Sequence, residues 1–67
     1  MTVWILTDEQ LDDSVVFGLF ETAEGAQRRA EGVSEKTLEW GPRGKAGGLT
    51  AKQDFGYWTV VEHEVEK

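Results

Sequence analysis

SVVFGLFETAEGAQRRAEGV, residues 14–33, changes its period in the middle, and that change decides the fold. From Ser14 to Phe20 the residues are mostly β-formers, with Val15, Phe17 and Leu19 on one face by period two and Val16, Gly18 and Phe20 on the other. Gly18 inside such a strand marks a bulge or a close approach by a neighbour. After Glu21 the spacing lengthens. Ala23, Ala26, Ala30 and Val33 recur at intervals of three and four, which predicts a helix with one narrow apolar face. Thr22 is placed to cap it, because its hydroxyl can accept from a first-turn amide. Glu24 then lies near the positive end of the helix dipole, Arg28 and Arg29 near the negative end. Gly32 reads as the stop, since glycine tolerates the left-handed conformation that ends helices. An alanine face lets the helix lie close to a sheet whose large side chains fill the gap, with Gly25 admitting an aromatic from below.

Working towards the N-terminus, Thr2–Thr7 reads as a strand that is apolar on both faces, Val3 and Ile5 on one, Trp4 and Leu6 on the other. The acidic run Asp8–Asp13 is expected to be a hairpin connection, with Leu11 tucked back onto the core. Towards the C-terminus, Lys36–Trp40 reads as a short strand and GPRGKAGG, residues 41–48, as a loop. Leu49–Gln53 reads as an edge strand or more loop. Phe55–Val65 is a long final strand, with Tyr57, Thr59, Val61, His63 and Val65 on one face and Trp58, Val60, Glu62 and Glu64 on the other. The fold expected is a single α+β domain spanning residues 1–67. It has a small, mostly antiparallel sheet of three to five strands and a single helix packed on one face, in the order β-β-α-β-(β)-β. Trp4, Phe17 and Trp58 are expected in its core, with Ala26 and Ala30 packed on the sheet.

A chain of 67 residues can bury only about 60% of its unfolded surface, so the aromatic residues carry much of the core. With no cysteine there is neither a disulfide framework nor a thiolate metal site, which favours a reducing, cytoplasmic setting. No basic segment leads into a long apolar run, so neither a signal peptide nor a membrane span is expected. The net charge of −6 works against binding to nucleic-acid backbones and anionic membranes.

Candidate chemistry is sparse. His63, the only histidine, lies between Glu62 and Glu64, which point to the opposite face of a strand and cannot orient its ring. The cluster Asp8, Glu9, Asp12 and Asp13 lacks the spacing and central glycine of a calcium loop. The glycine-rich loop has no Gly-Lys followed by Ser or Thr, and Pro42 removes an amide donor, so it is no phosphate cradle. No catalytic, cofactor-binding or metal-binding residue is therefore assigned, no cofactor is expected, and the chain reads as a non-enzyme. Arg28, Arg29, Arg43 and Lys45 make a candidate basic patch, and Trp40, Tyr57 and Trp58 candidate stacking surfaces. Together they define the alternative reading, a nucleic-acid-binding module.

Residues 15–31, VVFGLFETAEGAQRRAE, resemble a pattern found in small uncharacterised proteins of bacteriophages and their bacterial hosts. It consists of apolar residues, Gly, apolar, Phe, one residue, Thr or Ser, and an acidic, alanine-rich helix. Those proteins often open on a strand like Val3–Thr7 and close on one like YWTVVEHEVE, residues 57–66. The resemblance covers most of the chain outside residues 35–54, where the glycine-rich insert departs from the pattern. It implies a strand–strand–helix–strand fold and a phage-encoded chain acting in the host cytoplasm. The family is of unknown function and supplies no site residues. The leading functional expectation is a small accessory or regulatory protein that binds another protein, such as a host factor, or itself as a homodimer. One narrow helix cannot cover both apolar faces of the sheet, so Trp4, Leu6, Trp40, Tyr57 and Trp58 are the candidate interaction residues.

Overall fold

The computed structural model describes residues 1–10, 13–44, 47–53 and 56–65. Among the described residues, five strands and one helix follow one another: β1 (Thr2–Gln10), β2 (Asp13–Phe20), α1 (Ala23–Ser34), β3 (Trp40–Pro42), β4 (Leu49–Gln53) and β5 (Gly56–Glu64). The strands form one antiparallel sheet in the order β2-β1-β5-β4-β3, with α1 packed against β1, β5 and β2. This is the α+β architecture expected.

The helix forms where the period changes. Thr22 Oγ1 accepts from the Gly25 amide at 3.0 Å, and Ala26 and Ala30 are fully buried against the sheet. Beneath them lie Leu6, Trp58 and Val60, with Ala51 and Leu38 completing the buried cluster and Trp4, Phe17, Phe20 and Trp40 packed around it. Phe17 meets Trp58 edge-on, ring centres 5.0 Å apart and planes at 89°, the geometry that aromatic quadrupoles favour. Phe20 is the aromatic that Gly25 admits, since a Cβ built there would lie within 3.8 Å of the Phe20 side chain. The bulge expected near Gly18 is present: Leu6 pairs with Gly18 but Thr7 pairs with Val16, so Phe17 is the extra residue and turns towards Trp58.

Several expectations are corrected. The helix does not stop at Gly32 but runs to Ser34, and Glu35 takes the left-handed capping conformation at φ 57°. Arg28 and Arg29 are therefore mid-helix, and the last turn carries no basic residue. Ser34, four residues after Ala30, takes the sheet-facing place and accepts from Trp58 Nε1 at 3.0 Å, which turns Val33 out to solvent. Lys36–Trp40 is not a strand: the Leu38 amide donates to the Glu31 carboxylate at 3.0 Å, so Leu38 is buried on irregular backbone and pairing begins only at Trp40. Gly41 and Pro42 belong to β3 rather than to the loop. β4 is an interior strand between β5 and β3, not an edge or a loop. The first strand continues to Gln10 and the second begins at Asp13; Leu11 and Asp12 lie outside the described residues, as does Phe55.

Two glycines permit close backbone approach. A Cβ on Gly56 would overlap the Glu9 carbonyl oxygen across the β5–β1 ladder. One on Gly48 would overlap the Val60 carbonyl, and Gly48 also has φ 81°.

Candidate protein-interaction surface

The helix covers one face of the sheet, and the register shows what lies on the other. Side chains alternate across a strand, so the face away from α1 carries the partners of buried residues one step along. Leu19, Ile5 and Val61 form one row across β2, β1 and β5. Val16, Thr7, Thr59 and Thr50 form the next, and Ser14, Glu9, Tyr57 and Lys52 the one beyond. Val3 and His63 pair at the far end. Val16, Leu19 and Tyr57 are each more than half exposed, at 61%, 63% and 54%. Ile5, Val3 and Val61 are half-buried, and Thr59 in the middle of this face is buried.

The charge on this face is small. Of its strand side chains only Glu9 and Lys52 carry formal charge with histidine neutral, one of each sign, in a chain of net charge −6. Asp8, Glu62 and Glu64 all point to the helix side, where Asp8 accepts from Gln53 Nε2 and Glu64 from Thr2 Oγ1. The acidic excess of the described residues thus sits on the helix, the connections and the margins of the covered face.

The five candidate interaction residues separate accordingly. Leu6 and Trp58, at 0% and 2% exposure, lie under the helix and offer no surface to a partner. Trp4 and Trp40 are half-buried on that same side. Only Tyr57 belongs to the open face. Ile5, Val16, Leu19 and Val61 join it there; period two along β2 separates Val16 from Leu19, and the bulge at Phe17 brings both onto this face.

Of the candidate basic patch, Arg28 lines a shallow groove of about 250 Å³ with Glu24, Gln27, Glu31 and Trp40, so two carboxylates share its surroundings. Arg29 is exposed on the helix. Arg43 donates from Nη1 to the Gly47 carbonyl of its own hairpin at 3.4 Å. Lys45 lies outside the described residues. Trp40 Nε1 is buried without an acceptor among the described residues. His63 is exposed on the open face, opposite Val3 and away from Glu62 and Glu64. Among the described residues no three of His, Asp and Glu gather where they could hold a metal ion, and no helix is long and apolar enough to cross a membrane. Compared with family models, with curated proteins and with solved structures, the chain matches none.

Proposed function

We propose that this chain is a small non-enzymatic accessory or regulatory protein of phage type, acting in the host cytoplasm by binding protein through the open face of its sheet. One observation carries the reading: an uncovered face of Ile5, Val16, Leu19, Tyr57 and Val61 with almost no charge, on a strongly acidic chain. Contiguous exposed apolar surface is costly in water, and interface centres are depleted in charge and enriched in tyrosine. The nucleic-acid alternative is the weaker, because Arg28 shares its groove with Glu24 and Glu31 and Arg43 is engaged by its own hairpin.

The test compares affinity capture by the wild-type chain, by Leu19→Asp on the open face and by Arg29→Glu on the helix. A partner lost with Leu19→Asp and kept with Arg29→Glu supports the reading. A partner lost with Arg29→Glu and kept with Leu19→Asp places binding on the helix side and overturns it. Submicromolar, salt-sensitive binding to random oligonucleotides near physiological salt would favour the alternative instead.

A further inference from the structure

The open face is matched to itself. Glu9, Tyr57 and Lys52 lie in one row across β1, β5 and β4, so the acid and the base stand one strand to either side of the tyrosine, each about 4.8 Å away in the sheet plane. Place a second copy face to face, related by a two-fold axis that runs along β5 between the two sheets. β5 then lies over β5 of the second copy, and β1 lies over its β4. The row is preserved and its sides exchange. Tyr57 meets Tyr57 of the second copy, Glu9 lies over Lys52 of the second copy, and the reciprocal pair forms on the other side. The apolar row moves the same way: Val61 lies on the axis, and Ile5 and Leu19, both on its β1 side, are carried over the β4 and β3 side of the second copy.

Resting on the reading of this face as an interface, we infer that the occupant is a second copy of this chain, giving a two-fold sandwich of two five-stranded sheets. Three features favour self-association. A chain of net charge −6 is repelled by its own copy wherever acidic surface meets acidic surface, and this face is where that repulsion is least. Its two charges are arranged so that a two-fold axis converts them into attractive pairs, as a self-complementary interface requires. Its size also fits. A strand residue covers about 16 Å² of sheet plane, so the five strands present on the order of 500 Å², before side-chain corrugation is counted. That is the scale of the roughly 800 Å² per partner buried in interfaces of standard size. Aligned sandwiches set their sheets about 10 Å apart and rotated by about 30°. The Tyr57 row keeps its register when the two β5 strands cross at that row.

Sedimentation equilibrium across the micromolar range tests this on the wild type, Glu9→Lys, Lys52→Glu and the double reversal. Both residues are exposed, and far-UV circular dichroism verifies that each variant is folded. The wild type is expected to dimerise. Each single reversal places like charges together twice per dimer and should weaken association about tenfold or more, and the double reversal should restore it. A wild type that stays monomeric overturns the inference, and so does a dimer indifferent to both single reversals. The two ideas fail separately. A monomeric wild type whose capture of a different protein still depends on Leu19 removes the self-association and leaves the proposed function standing; one whose capture ignores Leu19 removes both.

Discussion

Trp58 and Tyr57 are adjacent in β5, and the direction of the side chain alone separates a buried indole from a phenol more than half exposed. In β1 the same alternation separates Leu6, fully buried, from Ile5, half-buried on the open face. The covered face is built from a few large side chains under a strip of alanines, with one hydrogen bond from Trp58 to Ser34 fixing the far end of the helix. The open face is built from Val, Ile, Leu, Thr and Tyr in cross-strand rows, where β-branched residues pack side by side on the pleated surface. The contrast teaches that apolar content alone does not identify the core of so small a sheet. What identifies it is the opposing small-residue surface that lets large side chains interdigitate.

The widest difference between the faces should appear in paired truncations. Trp58→Ala removes a fully buried indole together with its contact to Phe17 and its bond to Ser34. It is expected to cost roughly 3–5 kcal/mol, a large share of the stability of a domain this size. Tyr57→Ala, one residue away, should cost less than about 1 kcal/mol when measured by urea unfolding at concentrations where the chain is monomeric. Equal costs would mean that the face read as open is covered within the chain.

Next in size is Ala26→Leu. Ala26 has no exposed surface and lies where the helix meets the sheet, so added side-chain volume must push α1 outward. Overpacking of this kind costs about 1–3 kcal/mol. An unchanged melting temperature would show that the helix rests on the sheet loosely, and the contrast between the faces would lose its basis.

The sequence revealed the fold where two periods met and left it obscure where backbone hydrogen bonds went to side chains. Parity placed Trp58 and Tyr57 on opposite faces because a strand permits only two directions, and the alanine spacing placed Ala26 and Ala30 because a helix face needs both. Leu38 and Trp40 imitate a strand by alternation, yet the Leu38 amide is taken by Glu31, a partner that no periodicity announces. The interior position of β4 was hidden for a related reason. Its weak alternation reflects Ala51, whose smallness suits it to lie beside Trp58, and strand order depends on pairing rather than on composition. The candidate interface was half legible. Apolar and aromatic content points to Trp4, Leu6, Trp40 and Trp58 as well as Tyr57, whereas in β5 the carboxylate-free positions Tyr57, Thr59, Val61 and His63 separate the open face from the side that carries Glu62 and Glu64.

Smaller again is the loss expected at the start of the helix. Thr22→Ala removes the hydroxyl that accepts from the Gly25 amide, at a cost of about 1 kcal/mol. Thr22→Ser should retain most of the stability, because it keeps the oxygen. If Ala and Ser behave alike, α1 is held by its alanine face alone, and the covered side owes nothing to its cap.

The smallest effect distinguishes two descriptions of where the helix ends. If Gly32 were the terminating residue in a left-handed conformation, replacing it with Ala would cost stability, because a Cβ is disfavoured there. Instead Gly32 is helical, and Glu35 takes the left-handed position at φ 57°. A Cβ built on Gly32 meets nothing within 4 Å, so the site has room. Alanine there restricts the unfolded chain and suits the helical conformation, which together should stabilise by about 0.4–1 kcal/mol. In a domain this small that is a rise in melting temperature of a few degrees. The sign decides the matter. A fall on Gly32→Ala would end α1 two residues before Ser34, remove the ground for the Trp58–Ser34 bond, and leave Trp58 less firmly covered than the contrast with Tyr57 requires.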